Sequence, residues 1–163
     1  MKKLFLFVAI AAATLSCSKD DDNTPPVTPQ PILGGNIVAT INGEAKTFSN
    51  TNVYTVDYPA ENGNPAFTEL EVISYLPEDD TEFIYFYTVK GAEDNYTWWA
   101  FTYVKNGVEY THLAEEDMAV ELTTNNMAKK LIGTFNGQLS YVDPVTSEVT
   151  THLLENGSFN IQY

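Results

Sequence analysis

The stretch Glu82-Phe83-Ile84-Tyr85-Phe86-Tyr87-Thr88-Val89-Lys90 decides the fold class. Its β-branched and aromatic side chains suit a pleated, half-buried surface. Side chains alternate across a strand, so Phe83, Tyr85 and Tyr87 take one face while Ile84 and Phe86 take the other. The next apolar run, residues 95–104, places Tyr96 and Trp98 opposite Trp99, Phe101 and Tyr103. The preceding one, residues 67–76, places Leu70 and Val72 opposite Glu69, Glu71, Ile73 and Tyr75. One apolar face is enough for an antiparallel strand that packs on a core. The two central runs are aromatic on both faces, and the surplus requires a cover or a partner.

Punctuation outside these runs extends the same reading. Asn-Gly occurs at 42–43, 62–63, 106–107, 136–137 and 156–157. It is a strong hairpin signal, because a type I′ turn needs positive φ at both central residues. Pro59, Pro65, Pro77 and Pro144 all fall between apolar runs. The expected strands are 36–42, 44–49, 52–58, 67–76, 82–90, 95–104, 108–113, 118–124, 129–142, 148–154 and 158–163. Gly133 and Gly137 suit bulges in the longest of these, and Asn136-Gly137 can alternatively split it with a turn. Residues 113–127 offer the one helical alternative, but Thr123 and Thr124 and the lack of a regular apolar stripe weigh against it. The expected class is all-β and antiparallel. A two-sheet β-sandwich is favoured, with a closed up-and-down β-barrel as the alternative.

Charge excludes several function classes. The 163 residues include eight lysines, no arginine and 22 acids, for a net charge of −14. Such a chain forms no phosphate-binding basic face, so no nucleic acid is expected as a partner. Two histidines and one cysteine exclude a Cys/His metal cluster.

That cysteine lies near the start. Lys2 and Lys3 precede an unbroken apolar run, residues 4–13, and then Thr14-Leu15-Ser16-Cys17. This is the layout of a secretory signal, and the run is too short to span a bilayer, which takes about 20 apolar residues. Thr14-Leu15-Ser16-Cys17 resembles the lipobox of bacterial lipoprotein precursors, with a small residue directly before the cysteine and leucine two positions before it. The acidic run Ser18-Lys19-Asp20-Asp21-Asp22 is similar to the export signal of Bacteroidota surface lipoproteins. The resemblance implies cleavage after residue 16, acylation of Cys17, and an outer-membrane protein facing the cell exterior. Cleavage would remove two lysines and no acid, shifting the charge from −14 to −16. Each acyl methylene buried adds about 0.8 kcal/mol, so two or more chains hold firmly to a bilayer.

Residues 17–35 then read as the lipidated cysteine and a disordered tether. Pro25, Pro26, Pro29 and Pro31 lie in it, with almost no apolar residue before Ile32 and a flexible Gly34-Gly35 junction. At about 3.1 Å per residue a proline-rich segment of this length spans roughly 40–50 Å. Residues 36–163 form the expected β domain. Ala39-Thr40-Ile41-Asn42-Gly43, Leu131-Ile132-Gly133-Thr134-Phe135, Asp143-Pro144-Val145-Thr146-Ser147 and Asn156-Gly157-Ser158-Phe159-Asn160-Ile161 resemble small Bacteroidota lipoproteins of unknown function. That family implies a β-rich domain on a lipid anchor and supplies no catalytic residues.

Catalytic chemistry finds little purchase. There is no Gly-x-Ser-x-Gly, and His112 and His152 read as strand histidines. Glu78-Asp79-Asp80, Glu93-Asp94 and Glu115-Glu116-Asp117 lack the alternating spacing of a calcium loop and read as solvated surface. Glu69 and Glu71 share a strand face at about 6.6 Å along it, a spacing any strand with two outward acids produces. No enzyme activity, metal or cofactor is expected. The candidate ligand face is Tyr75, Tyr85, Tyr87 and Trp98 with Glu69 and Glu71. Flat rings stack on sugars and offer rigid area to protein partners, while carboxylates accept hydroxyl hydrogen bonds. The expected partners are thus a lipid bilayer through Cys17 and a glycan or protein ligand. The plain reading of the same rings is cross-strand stabilisation of the sheet.

Overall fold

A computed structural model describes residues 32–61, 63–91, 98–125 and 129–163. Eleven strands follow in chain order: β1 (Ile32–Leu33), β2 (Gly35–Ile41), β3 (Glu44–Phe48), β4 (Asn50–Tyr58), β5 (Phe67–Leu76), β6 (Asp79–Val89), β7 (Trp98–Lys105), β8 (Val108–Thr111), β9 (Met118–Asn125), β10 (Lys130–Val142) and β11 (Val149–Gln162). One 3₁₀ turn, Glu115–Asp117, precedes β9 where the sequence offered a helix. All-β antiparallel structure is therefore the class. The strands lie in one sheet, ordered β1-β4-β5-β6-β7-β8-β10-β11-β2-β3 with β9 also on β10. The sheet is nearly closed and barrel-shaped, within the sandwich-or-barrel expectation.

The closure has a simple origin. Ile37 pairs with Phe48 in the β2–β3 hairpin, and Leu33 pairs with Asn52 in the same alignment, four residues further along each strand. β1–β2 and β3–β4 are thus one long hairpin, broken near Gly34 and Ser49. Below the break β3 holds β2; above it β4 turns its other edge to β5. The tether expectation is corrected here. The expected tether runs to residue 35, but Ile32 and Leu33 already pair with β4, and Gly35 lies against Ile161 of β11. A Cβ on Gly35 would sit 2.2 Å from the Asn160 carbonyl oxygen, so glycine serves close backbone approach rather than a flexible joint.

Hydroxyl groups span the break. Thr51 Oγ1 lies 3.1 Å from the Gly35 carbonyl, Ser74 Oγ lies 3.0 Å from the Phe48 carbonyl, and the two hydroxyls are 2.7 Å apart. Two protons are shared among these three contacts. Both residues are fully buried, so side chains replace a ladder where the backbones part.

Alternation fills the lumen. Leu70, Val72, Ile84, Phe86, Phe101 and Phe135 are among the buried residues. Phe86 stacks on Phe101 at 5.3 Å and meets Phe159 at 5.2 Å, while Phe101 meets Phe135 at 4.7 Å. The inward aromatics Phe86 and Phe101 therefore belong to the core of the barrel.

One Asn-Gly pair, Asn156-Gly157, departs from expectation, while Gly137 takes the expected bulge. Asn42-Gly43 and Asn106-Gly107 make the β2–β3 and β7–β8 hairpins, with φ positive at all four residues. Gly63 has the same sign, within a turn closed by reciprocal bonds between Glu61 and Asn64; Asn62 lies outside the described residues. Asn136-Gly137 and Asn156-Gly157 instead lie inside β10 and β11, where register shifts mark bulges. Residues 148–154 and 158–163 are accordingly one strand. A bulge also takes a residue at positive φ (Asn156, φ 52), so the same dipeptide serves both uses. The side chain of Asn136 accepts the Asn156 amide at 2.8 Å and ties the two bulges together.

Candidate ligand face on the barrel exterior

The expected face forms on the outside of β5 and β6. Registers Glu71↔Tyr87, Ile73↔Tyr85 and Tyr75↔Phe83 set the rows, and β4 adds Tyr54 beside Glu71. Rings run along it in sequence: Tyr75–Phe83 at 4.9 Å, Phe83–Tyr85 at 6.2 Å and Tyr85–Tyr87 at 6.1 Å, the last edge-on. All four are half-buried. Opposite Tyr85 and Phe83 on β7 stand Thr102 and Val104, which are buried although they lie in the outward rows. The band of rings runs beside them on the same face, and cross-strand pairs of this kind stabilise any sheet.

The acids close one end of the band. Tyr87 donates its hydroxyl to Glu71 Oε1 at 3.3 Å. Burial, then the Glu71 charge, pushes the Tyr87 phenol up to about 12. Burial and the neighbouring Glu71 carboxylate raise the Glu69 carboxyl, and a hydrogen bond from Tyr58 opposes them. Burial likewise raises the Tyr75 phenol. The face therefore sets phenol hydroxyls beside acidic side chains. No group of three or more metal-ligating side chains exists among the described residues.

Trp98 does not join this face in register. β7 pairs Trp99 with Tyr87 and Trp98 with Thr88, whose neighbours line the lumen. The cause is a register shift at Ala100, which stands at φ 52 and slips the alternation on which Trp98 was placed. The side chains of Trp98 and Trp99 lie outside the described set, as do Tyr96, Glu93 and Asp94, together with Cys17 and Ser18, Lys19, Asp20, Asp21 and Asp22.

A charged cluster inside the barrel escaped the sequence reading. Lys46 Nζ lies 2.7 Å from Glu82 Oε1, and Tyr103 donates its hydroxyl to the same oxygen at 2.6 Å. The side chains of Lys46 and Glu82 are 9% and 6% exposed. Burial pulls the Lys46 ammonium down, but bonds to Glu82 and Glu44 more than offset it, so its pKa stands above the ordinary value. Burial and then Glu82 hold the Tyr103 phenol far above its usual range, so it remains a donor. The signal was parity: Lys46 alternates with Phe48, and Glu82 with Ile84 and Phe86, so both charges stand on core positions. Nearby, Asn42 Nδ2 donates to His152 Nδ1 at 2.8 Å, and Asn42 Oδ1 accepts the Leu153 amide at 2.8 Å.

No helix among the described residues is long and apolar enough to cross a membrane. Comparison with known proteins gave no matching family model, no matching curated protein and no matching solved structure.

Proposed function

We propose that this chain is a lipid-anchored surface protein of an outer membrane, carrying a non-enzymatic barrel that binds a ligand or builds envelope structure. The observation that carries this reading is the order Lys2-Lys3, apolar run 4–13, Thr14-Leu15-Ser16-Cys17, acidic run Ser18-Lys19-Asp20-Asp21-Asp22, then Pro25, Pro26, Pro29 and Pro31. Acylation would consume the only thiol, leaving a barrel that depends on its core and its closure. A lumen plugged by phenylalanines leaves the exterior as the surface for recognition. Intact mass spectrometry of natively purified protein tests the anchor. A chain beginning at Cys17 with acyl mass is expected; a free thiol there, or another start, ends the reading.

The second reading is a glycan-binding accessory module. It is favoured by the band Tyr75, Phe83, Tyr85 and Tyr87 ending on Glu71 and Glu69. Any ligand of the folded state raises the melting midpoint by mass action. A glycan panel should produce a shift that Tyr87→Ala or Glu71→Gln removes. Shifts that survive both substitutions, or none with any glycan, would leave a protein-partner or structural role.

A further inference from the structure

The barrel has two unlike ends. One carries the turns at 42–43, 77–78, 106–107 and 143–148, with acids at Glu78, Asp79, Asp80, Asp143 and Glu148. The other holds the β4–β5 connection, Lys129 and the C-terminal Tyr163. Ile32, the first residue of β1, pairs with Val53, and β4 runs on from Val53 to Tyr58, so β1 begins on the side of this second end.

Here the β4–β5 hairpin outgrows the barrel. Burial on β4 stops at Val53, and every described residue from 55 to 67 is exposed. Water faces an apolar set: Val56 at 39%, Tyr58 at 40% and Phe67 at 38% exposure. Tyr58 and Phe67 stack at 4.8 Å and 15°, and Pro59 and Ala66 join them around an open groove. Rings held together on a projecting hairpin, beside an amphipathic tyrosine edge, match the polar-apolar boundary of a bilayer.

We propose that this hairpin rests in the interfacial layer of the bilayer to which the chain is tethered, with Tyr58 and Phe67 as the inserted pair. The proposal rests on the lipid-anchor reading for how the barrel reaches the membrane. The occupant follows from the end of the barrel at which β1, the first strand after the anchor segment in sequence, begins. Charge agrees: among the described residues at this end, Lys90, Lys129 and Lys130 balance Asp57, Glu61 and Glu69, whereas the opposite end is strongly acidic and turns away from anionic headgroups. The contact is therefore apolar and aromatic, and it persists in salt that screens coulombic binding.

The test uses the full acylated chain in phosphatidylethanolamine/phosphatidylglycerol vesicles. Acylated Cys17 has no thiol, so one introduced cysteine takes a nitroxide, either Ala60→Cys on the hairpin or Val145→Cys at the far end. The Ala60 label should collide several-fold less with a water-soluble nickel complex and more with oxygen than the Val145 label. That contrast should survive high salt and collapse with Tyr58→Ser/Phe67→Ser. Equal accessibility at the two labels on a mass-confirmed acylated chain overturns the proposal while the anchor stands. Where mass spectrometry finds a free Cys17 thiol, the anchor fails instead. The labelled proteins, with Cys17→Ser added, are then mixed with the same vesicles, and shielding at Ala60 supports the surface while its absence overturns it.

Discussion

Lys46 and Glu82 face each other within a lumen otherwise lined by apolar side chains, and Tyr103 completes the cluster. Removing one partner of such a pair strands the other charge away from water, a cost of about 3–5 kcal/mol. Lys46→Met should therefore lower stability by that order in denaturant melts. Lys46→Met/Glu82→Gln should recover most of it, because no buried charge is left alone. His152 supplies a pH dependence. Burial first, and then Lys105, hold its pKa below the ordinary value; Glu82 opposes and Lys46 adds to the depression. Its Nδ1 faces the Asn42 amide, a donor, which also favours the neutral ring. The unfolded chain then binds more protons than the folded one just below the ordinary histidine pKa, so stability should fall as pH drops from about 7 through 6.5 toward the folded value. Comparing melts of the parent and His152→Gln over that window isolates this contribution. An unchanged slope in the variant would assign the pH response to other groups.

Elements were legible where the two-residue period ran undisturbed. Phe83 to Phe86 declared an inward and an outward row, and Leu70 and Val72 fixed the inward row of β5; all four strands from β3 to β6 fall close to their expected spans. Legibility ended at bulges, since one inserted residue reverses every later assignment along the strand. Ala100 did this to Trp98, and Asn156 made one strand of what read as two. Gly133 shows what such long strands require at their crossing. A Cβ there would meet Phe159 Cζ at 2.3 Å and the Glu121 carbonyl oxygen at 2.4 Å. The phenylalanine ring lies where the side chain would go. Gly133→Ala should cost about 1–3 kcal/mol by overpacking, read as a lower denaturant midpoint with unchanged slope.

For the molecule as a whole, sandwich and barrel shared every local signal and differed only in how the sheet's two ends meet. That meeting is made by Thr51, Ser74 and two carbonyls, whose pairing no periodicity announces. The outer face was legible because it repeats every second residue, whereas the Lys46–Glu82 contact joins strands far apart in sequence. Ser74→Ala should cost about 1–3 kcal/mol by leaving the Phe48 carbonyl without its hydroxyl donor, measurable by thermal melting. A chain with a net charge of −14 also repels itself when folded. Raising salt from about 0.01 M to 0.15 M shortens the screening length from about 30 to 8 Å and should raise the melting midpoint. The two-residue β1 carries a mechanical consequence. Any force drawn through the chain's leading segment loads Ile32 and Leu33 before it reaches β2. These two pairs would slip first, releasing about 3.3 Å of slack per residue and sparing the core, so the protein carries a sacrificial link at the point of strain.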